Sequence, residues 1–392
     1  MIEILDKTKC CGCNACAQKC PKHCIRLIKD SEGFYYPQVD TQLCINCGLC
    51  EKVCPVINQN PPHQPKNVYA VKNKNTETRL NSSSGGVFSL IAEKIIEEKG
   101  VVFGARYDDN WNVVMDFAET LEDVKAFRNS KYVQCFVGDS YLLVEKFLKA
   151  GRMVLYSGTP CMIRALKLFL KRDYENLLTV DIVCHGVPSP GVWQDYLKSV
   201  KEIVKVKYPN KPKIGSINFR DKTNGWSLFS FAFSIIESIG EHNTFIERTT
   251  FYDNPFMRAF WRDLILRPSC YYCPVRDCKS GADLTIGDFW SISLVDKQFD
   301  DDKGVGVLLV HTDKGKSILP WNQIEYISAS YELASKWNGG FNKTTFVHTN
   351  RKRFFDKYKK HPQQVIKLLI RNTDRSFLDK IRDKIKSLRL CV

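Results

Sequence analysis

Hydrophobic and polar positions change period several times along the chain, and each change marks an element. Residues 68–72 (VYAVK) read as a short strand, and the turn Asn81-Ser82-Ser83-Ser84-Gly85-Gly86 leads on to a helix over 87–99, where Val87, Leu90, Ile91 and Ile95 recur at helical spacing. Gly100 stands where a helix C-cap belongs, and 101–107 is the next strand. The same order recurs as a helix over 140–150, a strand over 153–157, the turn Gly158-Thr159-Pro160-Cys161 and a helix from Met162. The apolar run 180–183 is a further buried strand, ending in Cys184-His185-Gly186. Beyond a helix over 193–204 the pattern alternates, with strands expected at 214–220, 228–235, 244–251 and 305–311. Strands that alternate with helices predict an α/β body.

The first sixty residues follow no such period and are organised by cysteine instead. The pattern C-x2-C-x2-C-x3-C-P occurs at Cys10, Cys13, Cys16, Cys20 and Pro21, and again at Cys44, Cys47, Cys50, Cys54 and Pro55. This is one supersecondary unit used twice. Four thiolates hold a 4Fe-4S cube, and in the two-cluster bacterial arrangement the fourth cysteine of each run serves the other cluster. One predicted ligand set is therefore Cys10, Cys13, Cys16 and Cys54, and the other is Cys44, Cys47, Cys50 and Cys20. Zinc also uses C-x2-C pairs, but two identical four-cysteine runs fit it poorly. Cys11 and Cys24 lie outside both runs and read as packing residues. The polar, proline-rich stretch after the repeat reads as a linker.

Composition changes this picture little: 392 residues, 44% apolar and 12% aromatic, suffice for a core in two or three domains. No apolar run approaches the ~20 residues that span a bilayer, and the N-terminus shows no signal segment. Seventeen cysteines at metal-ligand spacing fit a reducing cytoplasm rather than a disulfide framework. The net charge of +15 is uneven. From Arg351 to the end, fourteen Lys and Arg face four Asp, a net +10, which leaves +5 for the other 350 residues. The basicity belongs to the tail, so nucleic acid is not the expected partner. Within the tail, Phe377, Ile381, Ile385 and Leu388 recur between basic residues, the pattern of an amphipathic helix for an acidic partner, for a membrane surface peripheral to the inner membrane, or for its own body.

Two features of the body carry candidate chemistry. The Ser82–Gly86 turn puts free N–H groups and hydroxyls at a helix N-terminus, which suits a phosphate but also suits simple capping. Cys161 and Cys184 each follow a predicted strand, and Cys270 and Cys273 form a C-x2-C pair. Brought together, these four could hold a third 4Fe-4S cluster, with Cys278 a rival fourth ligand; the alternative is that Cys161 and Cys184 are simply buried. His185 could donate a proton or only hydrogen-bond locally. Asp283 and Asp288 flank the strand after the cysteine pair and suit either a ligand-orienting or a turn role.

Several segments then coincide with a known family. SSSGGVFSLIAEKI, SKYVQ, LYSGTPC, VDIVCHGVPSP, and CYYC followed by ADLTIGDFW resemble the family of coenzyme F420 hydrogenase/dehydrogenase beta subunits, over about 68–346. The resemblance implies FAD beside a 4Fe-4S cluster, and relatives that oxidise or reduce the 5-deazaflavin coenzyme or reduce a chlorophyll side chain with ferredoxin. It places Ser82, Ser83, Ser84, Gly85 and Gly86 at the flavin phosphates, with Lys131 and Thr159 as further contacts. It makes Cys161, Cys184, Cys270 and Cys273 the third-cluster ligands; Cys278 departs from the family pattern. The expected fold is a multidomain α+β and α/β protein, a bacterial two-4Fe-4S ferredoxin-like domain followed by an α/β flavin- and cluster-binding body. The expected divisions are 1–60 for the ferredoxin domain, 61–67 for a linker, 68–150 and 151–346 for the two parts of the body, and 347–392 for a basic helical tail.

Flavins convert between one-electron carriers and two-electron reactants. The expected function is therefore an oxidoreductase passing electrons between 4Fe-4S clusters and a small two-electron substrate through FAD, with a ferredoxin or other redox protein as partner and His185 as candidate proton donor. The alternative is an electron-transfer component that feeds a partner enzyme and does no substrate chemistry itself.

Overall fold

The computed structural model of the protein describes residues 1–208, 210–237 and 244–373. At its centre is an eight-stranded sheet built from β3 (Asn67–Asn73), β4 (Val101–Tyr107), β5 (Val113–Ala118), β6 (Val154–Gly158), β7 (Leu177–Ile182), β11 (Leu284–Asp288), β12 (Gly306–Val310) and β13 (Ile324–Ser328). Its order is β13-β3-β12-β11-β7-β6-β4-β5. Four consecutive strands, β11, β7, β6 and β4, run parallel, with three antiparallel strands on one side and one on the other. Parallel strands must be covered on both faces, and the side chains alternate accordingly. Leu155, Leu178 and Val180 pack against Leu90, Ile91 and Ile95 of the helix Val87–Glu97. Val154 and Tyr156 point the other way, onto the helices Ser140–Lys149 and Pro160–Leu170.

A second, three-stranded antiparallel sheet of β8 (Pro212–Asp221), β9 (Ser230–Glu237) and β10 (Thr244–Thr250) closes over the helix Pro190–Lys207 through Trp193, Tyr196, Phe219 and Phe231. In the cysteine-rich lobe, β1 (Ile25–Lys29) and β2 (Tyr35–Val39) form a hairpin.

Three expected boundaries are redrawn. The cysteine lobe is built into the body, because Cys13, Ala15 and Val53 share a core with Tyr156 and Ile163, while Phe34 and Tyr36 join the core around Trp193. The stretch 61–67 is not a free tether: His63 N–H donates to Asp277 O at 3.3 Å, Lys66 N–H donates to Val310 O at 2.8 Å, and the His63 and His311 rings share a 3.1 Å hydrogen bond. The body does not end at 346, since the helices Arg351–Tyr358 and Val365–Thr373 bury Phe354, Phe355, Leu368 and Leu369 in the Trp193 core. The stretch with Phe377, Ile381, Ile385 and Leu388 lies outside the described residues. Among the described residues, no helix is long and apolar enough to cross a membrane.

Gly100 is not the cap. Lys99 takes the left-handed conformation, at φ +57°. Gly100 is needed for space, since a Cβ there would lie 2.6 Å from Ile95 Cγ2 and 2.8 Å from Met153 O.

Candidate cluster and flavin site

The carboxyl ends of parallel strands gather functional groups in α/β folds, and here β6 and β7 each deliver a cysteine. Beyond β6, Thr159 occupies the N-cap and Pro160 the first position of the next helix, so Cys161 sits in a first turn rather than in the loop expected for it. Beyond β7 comes Cys184. The short helix Pro268–Tyr272 supplies Cys270 and leads to Cys273. These four sulfurs, from three separate segments of the chain, line one cavity. Cys184 has Cys270, Cys161 and Cys273 as its charged neighbours. Cys278 lines the same cavity, but its neighbours are Asp181, Asp277 and Tyr331.

Cys11, read from sequence as packing, also lines this cavity and meets Cys161 side chain to side chain. The lobe therefore completes the wall of the body's cysteine site. Cys24 likewise lies against a predicted ligand, 3.3 Å from Cys20 Sγ. Neither position was legible in the sequence, because neither cysteine keeps the repeat's spacing.

The repeat cysteines separate into two groups. Cys20, Cys44, Cys47 and Cys50 line one pocket, which excludes the other predicted set. Burial and the neighbouring Cys10 and Cys54 push the Cys16 thiol up to about 12. In the Cys20 group Cys20 and Cys50 are buried and Cys47 is exposed beside Leu43 and Ile45, whereas Cys10 and Cys13 face the body. Among the described residues, no three His, Cys, Asp or Glu side chains converge on one point as a single ion needs.

The Ser82–Gly86 turn lies against β3 and the start of β12 and is largely engaged. Ser82 Oγ donates to Thr78 O, Ser84 Oγ donates to Val305 O at 2.7 Å, and Ser83 Oγ accepts from Ser130 N–H at 2.7 Å. Gly85 serves packing, since a Cβ would lie 2.3 Å from Val71 O. Gly86, at φ +79°, caps the helix Val87–Glu97, whose first N–H groups have no side-chain cap. Nearby, Lys131 Nζ donates to Arg128 O at 2.8 Å and Asn129 O at 3.1 Å and pairs with no carboxylate among the described residues; burial pushes it down to about 7. Around it, Tyr107 Oη, Asn129 Oδ1 and Arg128 Nε are buried without partners.

Two further cations touch the turn, and the sequence carried no signal for either. Burial pushes Lys222 down to about 7, and its Nζ donates to Ser84 O at 3.1 Å, Arg79 O and Lys303 O. Arg220 Nη2 donates to Ser83 O at 3.1 Å, while its guanidinium grips both oxygens of Asp288 at 2.9 Å; Trp226 Nε1 donates to the same carboxylate. Asp288 is thus a counter-ion. In Asp288→Ala the buried Arg220 loses its partner, and removal of one member of a buried pair costs about 3–5 kcal/mol. A clear fall in Tm by differential scanning fluorimetry is expected; an unchanged Tm would deny the pair this weight.

The remaining candidates have structural roles in this geometry. His185 Nε2 is 2.6 Å from Asp263 Oδ1, with its ring against Phe260 and Trp261, and it does not line the cysteine cavity. Asp283 accepts from Thr179 N–H and Oγ1 and from Thr312 Oγ1, which ties neighbouring strands together. Thr159 Oγ1 lies 3.2 Å from Cys161 Sγ, beside the cysteine cavity.

Residues 151–329 match the family described as the C terminus of the coenzyme F420 hydrogenase/dehydrogenase beta subunit, and residues 9–58 match the 4Fe-4S dicluster domain. Residues 151–329 thus resemble the C-terminal part of the coenzyme F420 hydrogenase/dehydrogenase beta subunits, with a 4Fe-4S dicluster domain in front. Its match to the F component of the F420H2 dehydrogenase of Methanosarcina mazei is 26% identical over 225 residues, 53% of this chain and 64% of that component. A coenzyme F420-dependent sulfite reductase of Methanocaldococcus jannaschii is 23% identical over 220 residues, covering 54% of this chain and 33% of the reductase. Among solved structures, the F420-reducing [NiFe] hydrogenase complex of Methanosarcina barkeri matches with a TM-score of 0.43 at 17% identity, covering 80% of this chain and 93% of that one. The chain therefore spans less than two thirds of the length of these two sequence relatives. The segment typical of the F420 hydrogenase/dehydrogenase family holds Cys161, Cys184, Cys270 and Cys273 as well as Thr159. The Ser82–Gly86 turn and Lys131 lie before it.

Proposed function

We propose that this protein is an iron–sulfur flavoprotein oxidoreductase, exchanging electrons between ferredoxin-type clusters and a two-electron reactant. The observation that carries the reading is the shared wall of the central cavity: Cys161, Cys184, Cys270 and Cys273 surround it, and Cys11, next in sequence to Cys10, completes it. In this reading Cys10, Cys13, Cys16 and Cys54 hold one 4Fe-4S cluster, Cys20, Cys44, Cys47 and Cys50 hold a second, and the four body cysteines hold a third. The exposed loop around Cys47 is the side that meets a redox partner, since no charged side chain interrupts residues 41–50.

The residues around Lys131 fit a flavin diphosphate. A half-buried ammonium without a carboxylate, the uncapped helix start at Gly86 and the unpartnered donors Tyr107 Oη and Arg128 Nε make a cationic cradle, with Asn129 Oδ1 as an acceptor beside it. When bound there, FAD supplies exchange between one-electron carriers and two-electron reactants. Lys131 and the N–H groups after Gly86 neutralise the diphosphate, and Ser83, bonded to Ser130, holds the turn against the Lys131 segment.

The test is anaerobic reconstitution followed by counts of iron, sulfide and flavin, then titration with reduced deazaflavin, NADH, NADPH and ferredoxin. About twelve irons and FAD bleached by one donor are expected. About eight irons without flavin would overturn the reading and leave a dicluster protein that serves a partner.

A further inference from the structure

Arg267 is completely buried, yet no carboxylate pairs with it among the described residues. A guanidinium stays charged at any ordinary pH, and burying a charge costs several kcal/mol unless opposite charge lies close. Every atom its fork meets is neutral or sulfur. Nε donates to Cys10 O at 2.7 Å, Nη1 donates to Gln134 Oε1 at 3.0 Å, and Nη2 donates to Tyr35 O at 2.9 Å and lies 3.5 Å from Cys10 Sγ. The ring of Tyr36 lies 4.2 Å from the guanidinium carbon.

The backbone of Arg267 faces the other way. Its N–H donates to Val187 O and its carbonyl accepts from Cys270 N–H, while Val187 N–H points at Cys270 Sγ at 3.4 Å. One residue thus reaches a lobe cysteine with its side chain and fixes a body cysteine with its main chain. Gly12 makes room for this: φ is +73°, and a Cβ would lie 2.9 Å from Arg267 Cζ and 2.3 Å from Gln134 Nε2. Three carbonyl bonds would serve a simple clamp. They do not account for a full charge placed where only sulfurs can balance it.

We infer that Arg267 is a positioning residue whose charge offsets that of the Cys10, Cys13, Cys16 and Cys54 thiolates, stabilising the reduced form of the iron–sulfur group they hold on the side facing Cys270. The inference rests on the reading that these four bind a 4Fe-4S cluster. The step concerned adds one electron, from dithionite in the test, and makes or breaks no bond.

The experiment is an EPR-monitored redox titration of the reconstituted full-length protein, with iron and sulfide counted first. Wild-type protein without the two N-terminal clusters would refute the ligand reading, not this one. With the clusters present, Arg267→Gln is expected to disfavour reduction of one N-terminal cluster about tenfold, or ~59 mV more negative for one electron. The other cluster stays in place, and Arg267→Lys recovers most of the shift because it keeps the charge. Iron-replete Arg267→Gln with an unmoved midpoint overturns the inference, as does Arg267→Lys shifting as far as Arg267→Gln. If Arg267→Gln loses its iron, Gln134→Leu decides: it removes one bond to the fork and keeps the charge, so the midpoint is expected to hold, and a tenfold shift there overturns the charge account.

Discussion

Cys184→Ser is expected to remove about four of about twelve irons and to leave the N-terminal clusters in place. Cys184 lies two residues past β7, with Cys270, Cys161 and Cys273 beside it and Arg276 as a neighbouring cation. A serine hydroxyl at neutral pH does not replace a thiolate as a ligand to iron–sulfur clusters. The N-terminal ligands come from their own repeat, and Cys16, Cys20, Cys50 and Cys54 pack in a core of their own around Ile2 and Ile25, so those clusters are expected to stay when Cys184 is lost. Cys278→Ser is the matched comparison. Its neighbours are Asp181, Asp277 and Tyr331, so full iron content is expected. Iron lost from Cys278→Ser and retained in Cys184→Ser would move the fourth ligand to Cys278.

Lys131→Ala is expected to weaken flavin retention at least tenfold, about 1.4 kcal/mol, as measured by FAD fluorescence after ultrafiltration. The ammonium is half-buried without a carboxylate, and a diphosphate would be its counter-ion. The sign of the pH dependence follows. Without an anion, burial holds Lys131 down at about 7, and a bound anion raises it again. Affinity is therefore full below pH 7 and falls as the pH rises above that value, toward the raised value of the complex. In Lys131→Ala this slope disappears. Flavin held equally well by Lys131→Ala at every pH would place the cofactor elsewhere.

Much of the fold was legible because its signals are local. The helix at Val87–Glu97 and the strands β4, β6 and β7 follow the apolar period to within a few residues. Where boundaries differ, another local rule outweighs the period. Pro160 at the first helical position moves Cys161 into the helix, and Asn254-Pro255, with Asn254 Oδ1 accepting from Phe256 and Met257 N–H, begins a helix the period does not announce. The strands β5 and β13 escape the pattern; they are the two edges of the sheet, where fewer positions need be apolar, and β13 buries only Ile324. The sequence places His185 beside Cys184, and only the structure shows that its ring meets Asp263 and Phe260.

By itself the sequence determined the cysteine repeat, the α/β period and the family resemblance, because ligand spacing, helical period and motif order are properties of neighbouring residues. Only the tertiary structure decided that Cys11 stands beside Cys161, that the 61–67 stretch lies along the body, and that Arg267 is buried between two cysteine sites. Those facts depend on sheet register and on which surfaces are buried together, across separations of more than a hundred residues. No local pattern encodes the burial of a charge. That burial is what turns Arg267 from one basic residue among many into the counter-charge of a thiolate site.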